Sequence, residues 1–450
     1  MCIILPKSAN LASSSFIRDL QRLLAQLTAV ADSESLVSLL TDNYRSMQFA
    51  AGNQSQLASA PSQHALTPPL WYLAERILRF SEGLSAADTL TRSARLLGCL
   101  QLTTPEAPRR WRDRQFGYKL LYRAVLSLRL MDHALQQQLI TEPDWQQDFA
   151  NHQHDDDNSR YRLNRQIPLV IAVMLLDAGQ LSAQASVQLA GTFGELDPTR
   201  ALSAEERANY LLTVQQATSA LIAQLQEIPY VGNSKAEKQL HMQQQQHNLQ
   251  FIRRLLADQM NPASQYGNLL KVPAVYSSIV LPGRQRFQYE ALPKASLLLQ
   301  DSVKRGLLDA KWVQHLLRIT GVFPQGFGIT YIPQQAENSP AEKYELAIVN
   351  QLYPTHPAVP HCRVVSRNLQ YRRGGHNCVV SIENNLYFKP ARQRLTLLSP
   401  QRLQEILSRL SADWQPGQVR RYLPRCWLPM QFFSQAEHQN LWNQARHLQN

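Results

Sequence analysis

Ile167 to Leu176 carries no polar side chain across ten residues, Pro168 included, and this run constrains the fold more than any other stretch. A helix crossing a bilayer needs about 20 apolar residues, so the run is too short to span a membrane and too apolar for a surface. It predicts a helix over Ile167 to Ala178 buried on every side, inside a body large enough to surround it. Amphipathic stripes elsewhere supply that body. Phe16, Leu20, Leu23, Leu24 and Leu27 recur three and four apart, as do Leu36, Leu39 and Leu40. Leu120, Leu121, Val125, Leu128, Leu130, Met131 and Leu135 define a helix predicted over Phe116 to Ile140. Further helical patterns run through Trp71 to Leu84, from an N-cap at Ser85 to about Leu100, and through Ala204 to Gln226, Glu237 to Ala257 and Lys294 to Leu317.

After Arg318 the pattern changes. Gly321, Pro324, Gly326 and Gly328 punctuate a turn, and short β-rich segments follow: Gly328 to Ile332, Tyr344 to Leu352, Cys362 to Tyr371 and Cys378 to Phe388. These suffice for a small antiparallel barrel of about 60 residues. A closing helix is predicted over Pro400 to Leu410. The fold class is therefore mainly α, a helical bundle with an N-terminal helical region and a small C-terminal antiparallel β subdomain. The divisions are an N-terminal region over 1–110 with a linker at 51–69, a helical domain over 111–320, a β-rich part over 321–395, and a helix and tail over 396–450.

Hydrophobic residues make up 44 % of the 450-residue chain and charged residues 18 %, which excludes wholesale disorder. The start lacks the basic-then-apolar order of a secretory signal, and no membrane association is expected, so the expected location is the cytoplasm. Five scattered cysteines, Cys2, Cys99, Cys362, Cys378 and Cys426, form no Cys-x-x-Cys pair and argue against a disulfide framework or a thiolate zinc site. The net charge of +12 favours anionic partners without naming one.

Ala172-Val173-Met174-Leu175-Leu176-Asp177-Ala178-Gly179-Gln180 resembles the signature of HD-superfamily phosphohydrolases, an apolar run followed by His-Asp, an apolar residue, Gly and Lys. Gly321-Val322-Phe323-Pro324-Gln325-Gly326 resembles the Gly-Val-Tyr-Pro-x-Gly segment that ends the module in HD-GYP proteins. Between them, Leu202-Ser203-Ala204-Glu205-Glu206 resembles the helix start after the signature. Val272 to Val280, with Tyr276, resembles the segment that carries a late ligand Asp. The likeness spans roughly Phe116 to Tyr353. It implies an HD-domain-like bundle from bacterial cyclic di-GMP signalling, where His and Asp ligands hold two or three divalent metals that activate water on a phosphodiester.

The departures remove most of that chemistry. Leu176 stands where the signature has His, and Gln180 where it has Lys. Val214-Gln215 stands for a His-Pro pair, and Ala274 for the late Asp. The Gly-Tyr-Pro motif is absent, and its region holds His241, a Gln run and His247. Leucine has no lone pair to give a cation, so the resemblance implies a catalytically inactive binding or regulatory protein without a cofactor. Asp177 and Gly179 are the residual signature. Asp177 is expected to pair with backbone or an Arg, and Gly179 to permit close packing.

Two rival readings remain. A rearranged metal-dependent phosphodiesterase would gather Fe, Mn or Zn on Asp177, His241 and His247, with His152, His154 and Asp155 as further donors. A basic nucleic-acid-binding regulator would use its Arg clusters. Candidate phosphate-binding residues are Arg109, Arg110 and Arg112, interleaved with Trp111, and Arg372 and Arg373 in the β-rich part. The ligand of the favoured reading is cyclic di-GMP or a signalling protein. The plainer reading of His152 to Asp157 is a solvated loop, and of Cys362 and Cys378 a place in the core.

Overall fold

The computed structural model describes residues 14–28, 35–52, 65–104, 111–198, 200–282, 287–333, 344–395 and 425–443. The expected helix over Pro400 to Leu410, and Arg109 and Arg110, lie outside them. The chain is mainly helical with one small antiparallel sheet near its C-terminal end.

Helix α1 (Ser15–Leu27) and α2 (Leu36–Gly52) lead to α3 (Thr67–Ser81) and α4 (Ala86–Thr103). Helix α3 starts inside the expected 51–69 linker. Pro68 and Pro69 fall in its first turn, where an amide hydrogen has no intrahelical acceptor and its loss costs nothing. Ser85 caps α4 as its sequence predicts, accepting from the Asp88 amide at 3.2 Å. The long α5 (Trp111–Gln136) ends earlier than Ile140, because Gln138 turns left-handed at φ 54°. Helix α6 (Pro143–Ala150) and the His152 to Asp157 loop follow.

A π-helical turn, Arg162–Gln166, leads into α7 (Ile167–Leu175), and all nine residues of α7 are buried. Helices α3, α5 and α10 (Lys235–Ala257) pack around it. Among the described residues no single helix is long and apolar enough to cross a membrane. Helix α8 (Ala183–Ala190) packs on α9 (Ala204–Ala223), which opens with a capping box between Ser203 and Glu206. In α11 (Gln265–Val280), Pro273 lacks the amide that would serve the Leu269 carbonyl. The Ser127 hydroxyl of α5 donates to that carbonyl instead, at 2.9 Å, so the helix break becomes a helix–helix contact. Helices α12 (Ala295–Lys304) and α13 (Ala310–Thr320) complete the body.

The β region is an open five-stranded sheet, not a barrel. Its strands are β1 (Gly328–Tyr331), β2 (Glu345–Val349), β3 (His361–Val364), β6 (Asn377–Val379) and β7 (Cys426–Trp427), ordered β6-β3-β2-β1-β7 and antiparallel throughout. The segment expected as one strand over Cys362 to Tyr371 breaks after Val364 into a small hairpin, β4 (Ser366–Arg367) and β5 (Gln370–Tyr371). Its two turn residues, Asn368 and Leu369, both adopt positive φ. The buried Glu345 carboxylate accepts from the Asn368 amide at 2.6 Å and from the Ser366 hydroxyl at 2.5 Å, which holds the turn although leucine disfavours it. Cys378 to Phe388 is strand only at its start. Helix α14 (Lys389–Leu395) follows β6 in the chain, and the short α15 (Met430–Phe433) follows β7 and packs on α4.

One buried apolar core runs through helices and sheet together. Gly326, at φ 85°, sits against the Gly98 carbonyl of α4, an approach closed to any side chain.

Candidate functional site

Asp177 ends the buried helix α7 and meets α5 there. Arg123 of α5 donates through Nη1 to Asp177 Oδ2 and through Nε to Ser277 Oγ of α11 at 2.9 Å. Ser277 Oγ donates in turn to the carbonyl of Ala274, the position where the resembling family has its late Asp. Burial pushes the Asp177 carboxyl up. The Arg123 guanidinium more than reverses this, helped by Lys119 and Lys271, and holds it below the ordinary carboxylate range. Lys271 of α11 is partly buried, and its ammonium is held below the ordinary range by burial and by the Arg123 and Arg207 charges, against the pull of Asp177. The locus therefore gathers Arg123, Lys119 and Lys271 around one carboxylate, with Arg207 of α9 near enough to act on Lys271.

Leu176, beside Asp177, is 5 % exposed and belongs to the core. The Gly179 amide donates to Thr218 Oγ1 of α9 at 3.0 Å. A Cβ at Gly179 would collide with the Val214 carbonyl and lie 2.8 Å from Thr218 Oγ1, so this glycine sets the closeness of α9. Val214, expected in place of a His, thus contributes backbone to packing.

The donors of the rearranged metal reading do not converge. His241 and His247 lie on α10 and engage different neighbours. His241 Nε2 is 2.8 Å from the Ile228 carbonyl, and His247 Nε2 is 3.4 Å from Arg165 Nη1. Arg165 precedes α7 and Asp177 follows it. The nine-residue helix between them spans about 14 Å, so His247 and Asp177 stand at opposite ends. Among the described residues no group of three or more His, Cys, Asp or Glu side chains is placed to hold a metal ion. The donor set fits neither Fe, Mn nor Zn as the rearranged reading requires.

Sequence reasoning missed the ionic cluster beneath the His152 to Asp157 loop. Arg129 of α5 is 1 % exposed on its side chain and binds Glu82 at 2.5 Å and Asp132 at 3.0 Å. Tyr161 donates its hydroxyl to Asp132 at 2.7 Å. Glu82, Arg129 and Asp132, with His152, His154 and Gln166, line a cavity of about 270 Å³. Arg129 Nε and Gln166 Oε1 are buried without a protein partner, so the cavity suits ordered water. An Arg inside the helical stripe at Leu128 to Met131 was the available signal. Burial raises the Glu82 carboxyl above its ordinary range against the opposing field of Arg129.

Two imidazoles in this neighbourhood titrate low. Burial, then the His315 and Arg318 charges, hold His133 at about 4, and burial with the His154 charge holds His152 at about 4. Both remain neutral in the folded chain at pH values where an unfolded imidazole, near 6.5, already takes a proton. Their stability contribution is fully present above about pH 6.5 and is lost as pH falls toward about 4. Urea midpoints recorded from neutral pH downward should therefore drop through this window. The His133→Asn, His152→Asn double variant should flatten the slope, and an unaltered slope in that variant counts against the assignment.

The remaining candidate cations are spread out. Arg112 lies at the start of α5 with its side chain outside the described residues. Arg373 pairs with Glu437, and the Arg372 amide donates to the Val365 carbonyl at 2.9 Å. Cys362 is buried opposite Cys378, and both are free thiols. His361 faces the other way and sits 2.8 Å from Gln351 Oε1, as strand alternation requires. No protein-family model, curated protein or solved structure matches the chain.

Proposed function

We propose that the chain is a catalytically inactive, HD-GYP-like regulatory protein that binds a cyclic dinucleotide such as cyclic di-GMP without metal ions. One observation carries the reading. The carboxylate at the signature position, Asp177, is engaged by Arg123, and side-chain cations surround it where the resembling family places metal ligands. A carboxylate bridged to a guanidinium is a poor metal ligand, whereas Lys and Arg recognise phosphodiester oxygens through charge-assisted hydrogen bonds. Lys271 and Arg207 supply the fixed charge that divalent ions supply in metal-dependent relatives. The same surface serves regulation through binding, because occupancy of a site joining α5, α9 and α11 alters how these helices pack.

Calorimetric titration of the full chain with cyclic di-GMP, alongside metal analysis of the same sample, tests this. Binding without bound Fe, Mn or Zn is expected, and each Arg or Lys hydrogen bond to phosphate contributes about tenfold in affinity. Lys271→Ala and Arg207→Ala should each weaken binding by about that factor. Chelator-sensitive turnover of bis(p-nitrophenyl) phosphate would restore the phosphodiesterase reading. Absence of both binding and turnover would leave a protein-docking scaffold.

A further inference from the structure

A second cavity lies away from Asp177, between α12, α13, the end of α5 and the turn at Tyr353 to Pro357. It is an open groove of about 890 Å³, within the range of small-molecule sites. Val303, Val313, Leu317 and Val322 give it apolar walls. Among the described residues no Asp or Glu lines it. Lys304 and Arg318 stand at its rim, and neither has a carboxylate within ion-pair distance among the described residues. His133 also lines the groove, but its low pKa leaves it neutral at neutral pH, so the field inside comes from the two long cations.

The polar groups have an order. Gln300 and Lys304 are four apart on α12, and Gln314 and Arg318 are four apart on α13, so each helix presents a carboxamide and a cation on one face. Packed side by side, the two helices give the groove two amides and two cations. A carboxamide offers a donor and an acceptor in one plane, the pattern that pairs with the edge of a nucleobase. An Arg fork and a Lys ammonium together suit phosphate oxygens. The apolar walls accept the face of a planar ring.

The wall formed by the Tyr353 to Pro357 turn is tied to α13 and the residues after it before any ligand arrives. The Tyr353 amide donates to the Ile319 carbonyl at 2.8 Å, and the Val322 amide to the Pro357 carbonyl at 2.7 Å. Tyr353 holds a left-handed backbone at φ 55°, a conformation a bulky residue keeps only when its surroundings enforce it. Its hydroxyl lies 3.3 Å from His133 Nδ1, whose Nε2 is 2.9 Å from His315 Nδ1. A preformed wall lowers the entropy lost when a ligand binds.

We propose that this groove is a binding site for a nucleoside diphosphate: Lys304 and Arg318 hold the phosphates, Gln300 and Gln314 read the base edge, and the valine–leucine wall takes the base face. Apart from the last turn of α5, the site uses other helices than the Asp177 locus, and it does not depend on the cyclic dinucleotide reading.

Calorimetry of the full chain with ADP, GDP and inorganic pyrophosphate, each up to about 1 mM, tests it. At least one nucleotide should saturate and bind at least tenfold tighter than pyrophosphate. The Lys304→Ala, Arg318→Ala double variant, at exposed positions, should keep its melting temperature and lose at least tenfold in nucleotide affinity. Lys271→Ala should leave nucleotide affinity unchanged, which separates this site from the one at Asp177. Three results would overturn the proposal: no nucleotide binding, pyrophosphate binding as tight as either nucleotide, or a double variant that binds as the parent does.

Discussion

Arg129→Ala should be the most damaging single substitution in the helical body. It leaves Glu82 and Asp132 facing each other without their guanidinium, at a small cavity beneath the loop. Removing one partner of a buried ion pair costs about 3–5 kcal/mol, a large part of the 5–15 kcal/mol that holds a typical domain folded. Chemical denaturation should show a midpoint displaced by that amount, or the protein should be recovered only in aggregates. Glu82→Gln in the same chain should restore part of the loss, because a neutral amide tolerates the site without a cation. That rescue separates charge from packing, since both variants lack the Arg129 stem. A single variant within about 1 kcal/mol of the parent would show that the cluster is solvated and its carboxylates already protonated.

Gly179→Ala is the second. Its methyl meets the Val214 carbonyl, a backbone atom that trimming a neighbouring side chain cannot remove. Overpacking of this kind costs about 1–3 kcal/mol, and the shift needed would also stretch the bond from the Gly179 amide to Thr218. A lowered melting temperature is expected, with Val214→Ala giving no relief. Stability within about 0.5 kcal/mol of the parent, the range of an ordinary surface change, would mean that α9 slides freely on the turn after α7. The same shift would move Arg207, so under the proposed function cyclic di-GMP affinity should fall along with stability.

Periodicity made the helices legible because it is a local property that burial enforces. The run Ile167 to Leu176 reads as a core helix since no other environment tolerates it, and Ser85 and Ser203 mark helix starts since a hydroxyl there satisfies an otherwise open amide. The β region was less legible. Asn368 and Leu369 form a tight turn only because Glu345, some twenty residues earlier, accepts from both amides, and such a tertiary device leaves no local trace. The pairing of Asp177 with an Arg followed from the need to neutralise a buried charge, but the identity of Arg123 required the crossing of α5 and α7. The groove at Tyr353 was illegible for the same reason. Its cations come from two helices that read as one helical pattern over Lys294 to Leu317, and only the break between α12 and α13 and their packing put the amides and charges on one opening.

Strand β7 pairs with β1 through Ile329 and Gly328, and the Trp427 indole donates to the Ala347 carbonyl on β2 at 2.9 Å. Beyond it, the Leu441 carbonyl accepts from both Arg363 and Asn350, so late residues clamp the sheet on the β3 side as well. During synthesis, β7 follows β1 by about a hundred residues, or about 5–20 s at roughly 5–20 residues per second. Until it emerges, β1 offers a row of unpaired amides and carbonyls, a template for joining a neighbouring nascent chain. Pairing of the β1 edge therefore comes last, and neighbouring nascent chains compete with β7 for it until then.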